Sequence, residues 1–418
     1  MPHKLLTSGP TTLFLALLLA LTIAARSEAA SKYSILHSFA GKPDGGGIFA
    51  GLTLDSKGNL YGATIGGGAY GYGTVFELTP GSGGKWTEAI LHSFCKDFPH
   101  CNDGTSVWDT AALDSKGNLY DFSSAGVFQM TPRAHGWSFK VIYSEGDQEA
   151  VAENDPAGEC SLLADGKGNL YSSCFSFGQN YGGAVGELSP GTSGWKERNL
   201  FDFCLHPRNG ICLGGNLPQY ALASDTAGNL YGVTTEGGAH KVGVAFELEL
   251  TAEGWQEHVL HSFPAFSGDG YPPSAGVVVD GSGNVYGTTF QGGNGDNNGT
   301  VYELSRQQDG HWKETILYDF HNGDQDGGSP RGGLVFDKAG SLYGTTTAGG
   351  DASCLCGVVF KMTPQSSGKW KYQVLHRFTG SDGYSPQAGV ILDDKGNLYG
   401  TTTEGGPGGY GVVYEITP

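Results

Sequence analysis

The sequence predicts an all-β protein, a seven-bladed β-propeller built from four-stranded blades. One motif, D-x-x-G-[N/S]-[L/V]-Y, occurs seven times, and its aspartates are spaced by 51 to 60 residues. This period suits a four-stranded propeller blade and is longer than that of most solenoid repeats. The aspartates are Asp55, Asp114, Asp165, Asp225, Asp280, Asp337 and Asp393.

Each repeat contains four short apolar runs separated by turn residues, which is typical of antiparallel strands. In the first repeat we assign strand a to residues 51–55, strand b to 59–65, strand c to 73–79 and strand d to 86–94. The D-x-x-G segment between strands a and b fits a type I turn that is capped by its aspartate. We therefore interpret the seven aspartates as turn residues and not as metal ligands.

The two ends of the chain supply parts of the same blade. The chain after residue 30 begins with a d strand at residues 33–39, and the sequence ends just after a c strand at residues 412–417. The seventh blade therefore lacks a d strand unless the N-terminal strand completes it. Such a closure removes open sheet edges, so we predict that the last blade is closed by the N-terminal strand.

Residues 1–30 have the pattern of a signal peptide, and residues 31–418 form the predicted single propeller domain. Lys4 precedes an apolar run at residues 13–25, which is followed by the small residues Ser27 and Ala29 near the expected cleavage site. The run is short for a membrane span. We expect a secreted or periplasmic protein without membrane insertion.

The charge of the chain argues against nucleic acid as a partner. Without Lys4, Arg26 and Glu28 the chain keeps 22 basic and 41 acidic side chains, a net charge of −19. Such a surface repels polyanions, although simple solubility is an alternative reason for the charge. We expect a monomer whose partner is a glycan or an extracellular protein.

Eight cysteines in an exported chain indicate disulfides. Cys95 and Cys101 close a short loop after a d strand, and Cys204 and Cys212 do the same in a later repeat. Two more cysteines lie opposite each other across a predicted hairpin and form the third expected pair; these are Cys160 and Cys174. A bridge between Cys354 and Cys356 would be strained, so their state stays open.

A histidine recurs at one position of the d strands and alternates there with tyrosine or phenylalanine. We interpret it as a packed aromatic side chain. The D-G pairs that follow the d strands in five repeats are interpreted as turns. The seven d-strand residues are His37, His92, Tyr143, Phe201, His261, Tyr318 and His376.

The repeats resemble the GloVer tandem repeat of exported bacterial proteins. The resemblance covers residues 31–418 and is clearest where D-x-x-G-N-L-Y-G is followed by T-T and then by G-x-V-F-E-L, as at residues 287–289 with 299–304 and at 62–64 with 73–78. It implies export and a repeat fold, and it supplies no catalytic residue. The D-x-x-G-N-L-Y segment is also similar, more loosely, to that of NHL and gluconolactonase-type propellers.

The position six residues before each turn aspartate, at the mouth of the expected channel, does not repeat, and neither does the next position. Aromatic, amide, carboxylate and guanidinium groups occur there, which are the groups that bind sugars and other polar ligands. A solvated rim that tolerates variation is the alternative. The candidate ligand-binding residues are Trp108, Asp109, Glu159, Gln219, Tyr220, Arg331 and Gln387.

An acidic loop precedes the third repeat and offers a weaker candidate site for calcium. Carboxylate oxygens suit Ca²⁺, but the D-x-D-x-D-G spacing of a dedicated calcium loop is absent, and a solvated acidic loop is the alternative. No cofactor is required by the sequence. The loop carboxylates are Glu145, Asp147, Glu149, Glu153 and Asp155.

Three functions are compatible with these residues. The first is a non-catalytic exported binding module for carbohydrate or another envelope or extracellular component. The second is a lyase, hydrolase or lactonase that uses Glu159, Asp109 and Arg331 with a divalent ion. The third is a purely structural or protein-interaction module. The sequence lacks G-x-S-x-G, H-E-x-x-H and the phosphate-binding loop motif, so we favour the binding module.

Overall fold

The computed structural model describes residues 31–144, 160–175, 182–208, 210–265, 268–293, 297–321 and 326–417. In these residues the chain forms seven antiparallel β-sheets, and one 3₁₀ turn occurs at Ser82–Gly84. Neighbouring sheets contact one another as the blades of a closed ring, so the predicted seven-bladed β-propeller is confirmed. No helix in the described part of the chain has the length and hydropathy needed to cross a bilayer.

The strands of each blade run outward from a short inner strand. Blades 1 to 3 contain β2 (Thr53–Leu54), β3 (Leu60–Thr64), β4 (Thr74–Pro80) and β5 (Trp86–Ser93); β6 (Ala112–Leu113), β7 (Leu119–Ser123), β8 (Gly126–Pro132) and β9 (Trp137–Tyr143); and β10 (Cys160–Ala164), β11 (Leu170–Cys174), β12 (Ala184–Gly191) and β13 (Gly194–Asp202). Within each of these blades the strands pair in sequence order.

Blades 4 and 5 each have a fifth, short strand, β14 or β19. It pairs with strand b of its blade, which is β16 or β21. Blades 4 and 5 contain β14 (Asn216–Pro218), β15 (Ala223–Ser224), β16 (Leu230–Glu236), β17 (Val244–Thr251) and β18 (Gly254–Ser262); and β19 (Tyr271–Pro273), β20 (Val278–Val279), β21 (Val285–Gln291), β22 (Thr300–Arg306) and β23 (Trp312–Asp319). Blades 6 and 7 contain β24 (Val335–Phe336), β25 (Leu342–Thr346), β26 (Val358–Pro364) and β27 (Trp370–Arg377); and β28 (Ile391–Leu392), β29 (Leu398–Thr402), β30 (Val412–Thr417) and β1 (Lys32–Ser38).

The repeated aspartate is fully used by its own turn. Asp55 accepts hydrogen bonds from the backbone N–H groups of Lys57 and Asn59 at 2.8 and 2.9 Å, and from the Asn59 side chain at 3.0 Å. The Tyr61 hydroxyl donates to the same carboxylate at 3.2 Å. Equivalent backbone contacts occur in the other six blades. The motif is therefore structural, as its turn chemistry predicts.

The ring is closed by pairing its two ends. β1 lies antiparallel to β30, with Lys32 opposite Thr417 and Ser38 opposite Val412. Blade 7 also contacts blade 1 at the inner strands, where the Thr401 hydroxyl donates to the backbone oxygen of Ala50 at 3.0 Å. The prediction that the N-terminal strand completes the last blade is confirmed.

A glycine in strand b makes room for an aromatic side chain of strand c. A Cβ atom on Gly62 would lie 2.5 Å from the Phe76 ring, which is too close for any side chain. Blades 4 to 7 have glycine at the same position, whereas blade 2 has Asp121 and blade 3 has Ser172. These two exceptions lie in adjacent blades.

Candidate functional site

The inner strands surround a cavity of about 690 Å³ at the centre of the ring. Small residues keep the strands close together: a Cβ on Gly276 would lie 2.3 Å from the backbone oxygen of Ala221. The residues that precede these small residues in sequence lie around the mouth of the cavity. The cavity is lined by six of the seven rim residues predicted from the sequence, namely Trp108, Asp109, Gln219, Tyr220, Arg331 and Gln387.

Trp108 provides the largest aromatic surface of the cavity. Its ring is half-buried, and its centroid lies 4.8 Å from that of Phe49, with an angle of 48° between the two planes. The indole nitrogen Nε1 is buried and has no hydrogen-bond partner among the described residues. A buried N–H group without a partner is unfavourable.

Asp109 lines the cavity on the blade 2 side, and the buried Asp121 lies near enough for the charge of Asp109 to act on it. Burial raises the pKa of Asp109 to about 6, although hydrogen bonds from Ser161 and the Thr110 backbone oppose this rise. Asp121 is buried, and burial together with the charge of Asp109 raises its pKa well above the usual range. One oxygen of Asp121 accepts a hydrogen bond from the Phe122 N–H at 2.7 Å, and its Oδ2 has no partner among the described residues. At neutral pH Asp109 is mostly ionised, and Asp121 holds its proton more tightly than an exposed aspartate does.

The remaining rim residues contribute a cation and amides. The Arg331 guanidinium lies over the Phe290 ring, 4.5 Å from its centroid, which holds the side chain at the rim. The Gln387 amide donates to the Ser385 hydroxyl at 3.1 Å. Tyr220 packs against the hydrophobic cluster between blades 4 and 5. The cavity thus combines aromatic faces with fixed donors and acceptors.

The acidic candidates lie outside the described residues. These are Glu159 of the rim and Glu145, Asp147, Glu149, Glu153 and Asp155 of the loop before blade 3. Their role in binding a ligand or calcium stays a prediction.

The cysteines form four disulfide bonds in the structure, all of them between residues close in sequence. Three are the pairs expected from the sequence, and the fourth joins the two cysteines whose state was left open. The pairs are Cys95–Cys101, Cys160–Cys174, Cys204–Cys212 and Cys354–Cys356.

Sequence reasoning missed Asp121, although the sequence carried a signal for it. In five repeats the residue after the motif tyrosine is glycine, and a change to aspartate in a buried strand is unusual. The departure was visible in the copy L-D-S-K-G-N-L-Y-D. Its proximity to Asp109 became apparent only in the folded ring, because Asp109 lies in the loop before β6 and Asp121 lies on β7.

The fold and the central cavity define a β-propeller whose irregular residues converge at one end of the channel. The chain belongs to the family described as the Gloeobacter/Verrucomicrobia repeat, whose model matches residues 22–246 and 217–418. The resemblance seen in the repeats is thereby confirmed. No curated protein shows significant similarity to the chain.

Several solved structures are similar to the chain. One is the extracellular domain of BT4673 from B. thetaiotaomicron, a protein named as a one-component system, with a TM-score of 0.54 and 12% identity. The match covers 93% of the present chain and 42% of the B. thetaiotaomicron chain. Others are a Thermus thermophilus protein named as an oxidoreductase (glucose dehydrogenase) (TM-score 0.44, 15% identity, 73% of this chain and 95% of that one) and a Bacteroides uniformis protein named as a 6-phosphogluconolactonase (TM-score 0.47, 10% identity, 81% and 86%). At these identities the likeness concerns the fold alone.

Proposed function

We propose that the protein is a non-catalytic binding module that holds a carbohydrate, or a similarly polar envelope or extracellular component, in its central cavity. The observation that carries the proposal is the convergence of non-repeating rim residues on one cavity. In a repeat protein the residues that serve the fold recur in every copy, as Asp55 does. The rim residues differ from copy to copy, so the fold does not require them.

The chemistry of the cavity favours a polyhydroxylated ligand. Trp108 offers an apolar face for a sugar ring and a buried N–H without a partner among the described residues. Arg331 and Gln387 supply donors, and ionised Asp109 supplies an acceptor. Such a mixture of aromatic faces and a few placed polar groups is typical of small-molecule sites.

An extracellular or periplasmic location agrees with this ligand class. Four disulfide bonds are expected in an oxidising compartment and are rare in the cytosol. The B. thetaiotaomicron structure of the same fold is an extracellular domain. The family resemblance in the repeats also implies export.

A glycan array followed by calorimetric titration of the best oligosaccharide tests the proposal on the mature protein. We expect binding that is lost in Trp108→Ala and retained in Tyr410→Ala, because Tyr410 is exposed but does not line the cavity. Both variants should fold, which circular dichroism checks. If no glycan or envelope fragment binds, or if Trp108→Ala leaves the affinity unchanged, the cavity is not a glycan site.

The adjacent carboxyl groups favour an enzyme as the second candidate. A pair of carboxyls whose pKa values differ is a common arrangement for acid–base catalysis. Asp109 would act as the base on a glycosidic or lactone substrate in the cavity. The test is turnover of chromogenic glycosides and lactones, which Asp109→Asn should abolish while circular dichroism shows that the variant is folded. Absence of turnover in the unaltered protein rejects this candidate.

A further inference from the structure

The outer strands of neighbouring blades meet in a regular way that the repeat pattern did not reveal. In each blade, the d-strand residue equivalent to His261 lies opposite a residue of the next blade. That second residue is near the start of the next blade's own d strand. Across three blade interfaces this pair is a stack of two rings with centroids 3.8 to 4.1 Å apart. The stacked pairs are Tyr33–His376, His92–Phe139 and Tyr318–Tyr372.

The other four interfaces have a glutamate in place of the second ring, and in two of them it lies opposite a histidine. His37 faces Glu88, and its Nε2 lies 3.7 Å from the Glu88 Oε1 atom. His261 faces Glu314, and its Nε2 lies 3.6 Å from the Glu314 Oε2 atom. In each case a D-G aspartate of the connecting loop joins the group, so that a histidine, an aspartate and a glutamate offer ligand atoms that all lie within 4.8 Å of one another. The aspartates are Asp44 and Asp269.

We propose that these two groups bind divalent transition-metal ions of the zinc class, one at the interface of blades 7 and 1 and one at the interface of blades 4 and 5. Each ion would be held by the Nε2 atom of the histidine and by one oxygen from each carboxylate. A water molecule would complete a four-coordinate shell. The ion would connect two adjacent blades near their outer strands.

The distances favour ligation over direct hydrogen bonding. Separations of 3.6 and 3.7 Å are too long for a hydrogen bond. They are close to the edge of about 3.3 Å in a tetrahedron whose ligands lie about 2.0 Å from a zinc ion. The His37 Nε2 atom forms a hydrogen bond of 3.2 Å with the Asp44 Oδ1 atom, and a metal ion would replace this hydrogen bond with a ligand edge of similar length.

Unpartnered polar atoms point to a missing ligand in the same groups. The Glu314 side chain is 8% exposed, and its Oε1 atom and the His261 Nε2 atom are buried without a hydrogen-bond partner among the described residues. The Glu88 Oε1 atom of the other group is in the same condition. Buried polar groups are normally satisfied, and a cation would satisfy the carboxylate oxygens and the imidazole nitrogen together. Neutral imidazole and carboxylate are both ligands of zinc.

The competing explanation is that each glutamate is simply a buried neutral acid. Burial and the charge of Asp269 raise the pKa of Glu314 to about 8, and burial and Asp44 raise that of Glu88 to about 8. Glu257, at the same position in blade 4, has a pKa raised to about 8 by burial, although the d-strand position of blade 3 that corresponds to His261 is occupied by Phe201 and not by a histidine. The neutral-acid explanation therefore predicts the same behaviour for all three glutamates, whereas metal binding requires the histidine.

Metal uptake by the mature protein, produced without a histidine tag and stripped with a chelator, separates the two explanations. After dialysis against zinc, elemental analysis should find two ions per chain. Glu88→Gln and Glu314→Gln should each bind one ion, and the double variant none. Asp103→Asn is the matched control, because His92 pairs with Asp103 in the same way but faces a phenylalanine; this variant should still bind two.

The melting temperature gives a second readout. Zinc should raise it in the unaltered protein and in Asp103→Asn, and should leave it unchanged in the double variant. If a glutamine variant does not fold, Glu314→Tyr replaces it, because Tyr372 fills the equivalent position in blade 6. Uptake that neither glutamate substitution reduces, or no uptake by the unaltered protein, overturns the proposal.

Discussion

Replacing Asp109 by asparagine should make the protein more stable at neutral pH. The native state raises the pKa of this carboxyl from the usual 3.8 to about 6, chiefly because burial disfavours the charged form. The folded protein therefore holds the proton more tightly than the unfolded chain does. The Asp109 carboxyl therefore does not change the free energy of unfolding below both pKa values. It lowers this free energy as the pH rises from about 4 to about 6, and the free energy stays reduced above that range.

The size of this destabilisation follows from the two pKa values. At 1.36 kcal/mol for each pKa unit, the rise from 3.8 to about 6 corresponds to about 3 kcal/mol at pH 7. Asparagine keeps an acceptor for the Ser161 hydroxyl and carries no charge. We therefore expect Asp109→Asn to raise the free energy of unfolding by up to about 3 kcal/mol at pH 7 and by little at about pH 3.5.

Urea unfolding at the two pH values, followed by circular dichroism with the disulfides intact, measures both quantities. Asp394→Asn is the control, because its carboxylate is 95% exposed and should change stability little. A gain of equal size at both pH values would show that charge burial is not the cause. A loss of stability at pH 7 would refute the reasoning, and with it the view that this carboxylate is kept for a purpose other than folding.

Three further predictions concern the fold. Deleting residues 31–39 removes β1 and the fully buried Phe39, so the truncated chain should lose more than about 5 kcal/mol and melt far below the chain of residues 31–418; equal melting curves would contradict the closure. Gly243→Ala should be far less stable than Gly254→Ala, because both glycines have positive φ but only at Gly243 would the Cβ meet a backbone oxygen, that of Thr234, at 2.1 Å; comparable melting temperatures would contradict the clash. Non-reducing peptide mapping should recover the four disulfides, and free thiols at these positions would contradict them. The linked residues are Cys95–Cys101, Cys160–Cys174, Cys204–Cys212 and Cys354–Cys356.

The architecture was predictable because each structural demand recurs seven times. The turn between strands a and b requires an aspartate, as at Asp55, and strand b requires a small residue, as at Gly62. The same residue types therefore recur in most copies. The closure was predictable by counting strands. The convergence of Trp108 and Arg331 on one cavity also followed from the register, since equivalent positions of a propeller lie at one height around its axis.

Contacts between different blades were not predictable from one repeat. Glu314 meets His261 across the interface of blades 4 and 5. Even within blade 2, the effect of the Asp109 charge on Asp121 depends on the folded position of the loop before β6 relative to β7. The interpretation of the histidines as packed aromatic residues was correct for His92 and His376, which stack on rings. It was incomplete, because His37 and His261 face glutamates, and the identity of the facing residue is set by a different repeat.

The closure of blade 7 constrains how the protein is made. Lys32 and Thr417 pair although 385 positions separate them, so the first strand that emerges from the ribosome has no partner until the last one has been synthesised. Contacts of such long range form late and slowly. In the meantime β1 and the outer edge of β30 expose unpaired backbone that another chain can capture. A factor that shields the N-terminal strand during synthesis and transport would therefore increase the yield of folded protein more than one that acts on any internal blade.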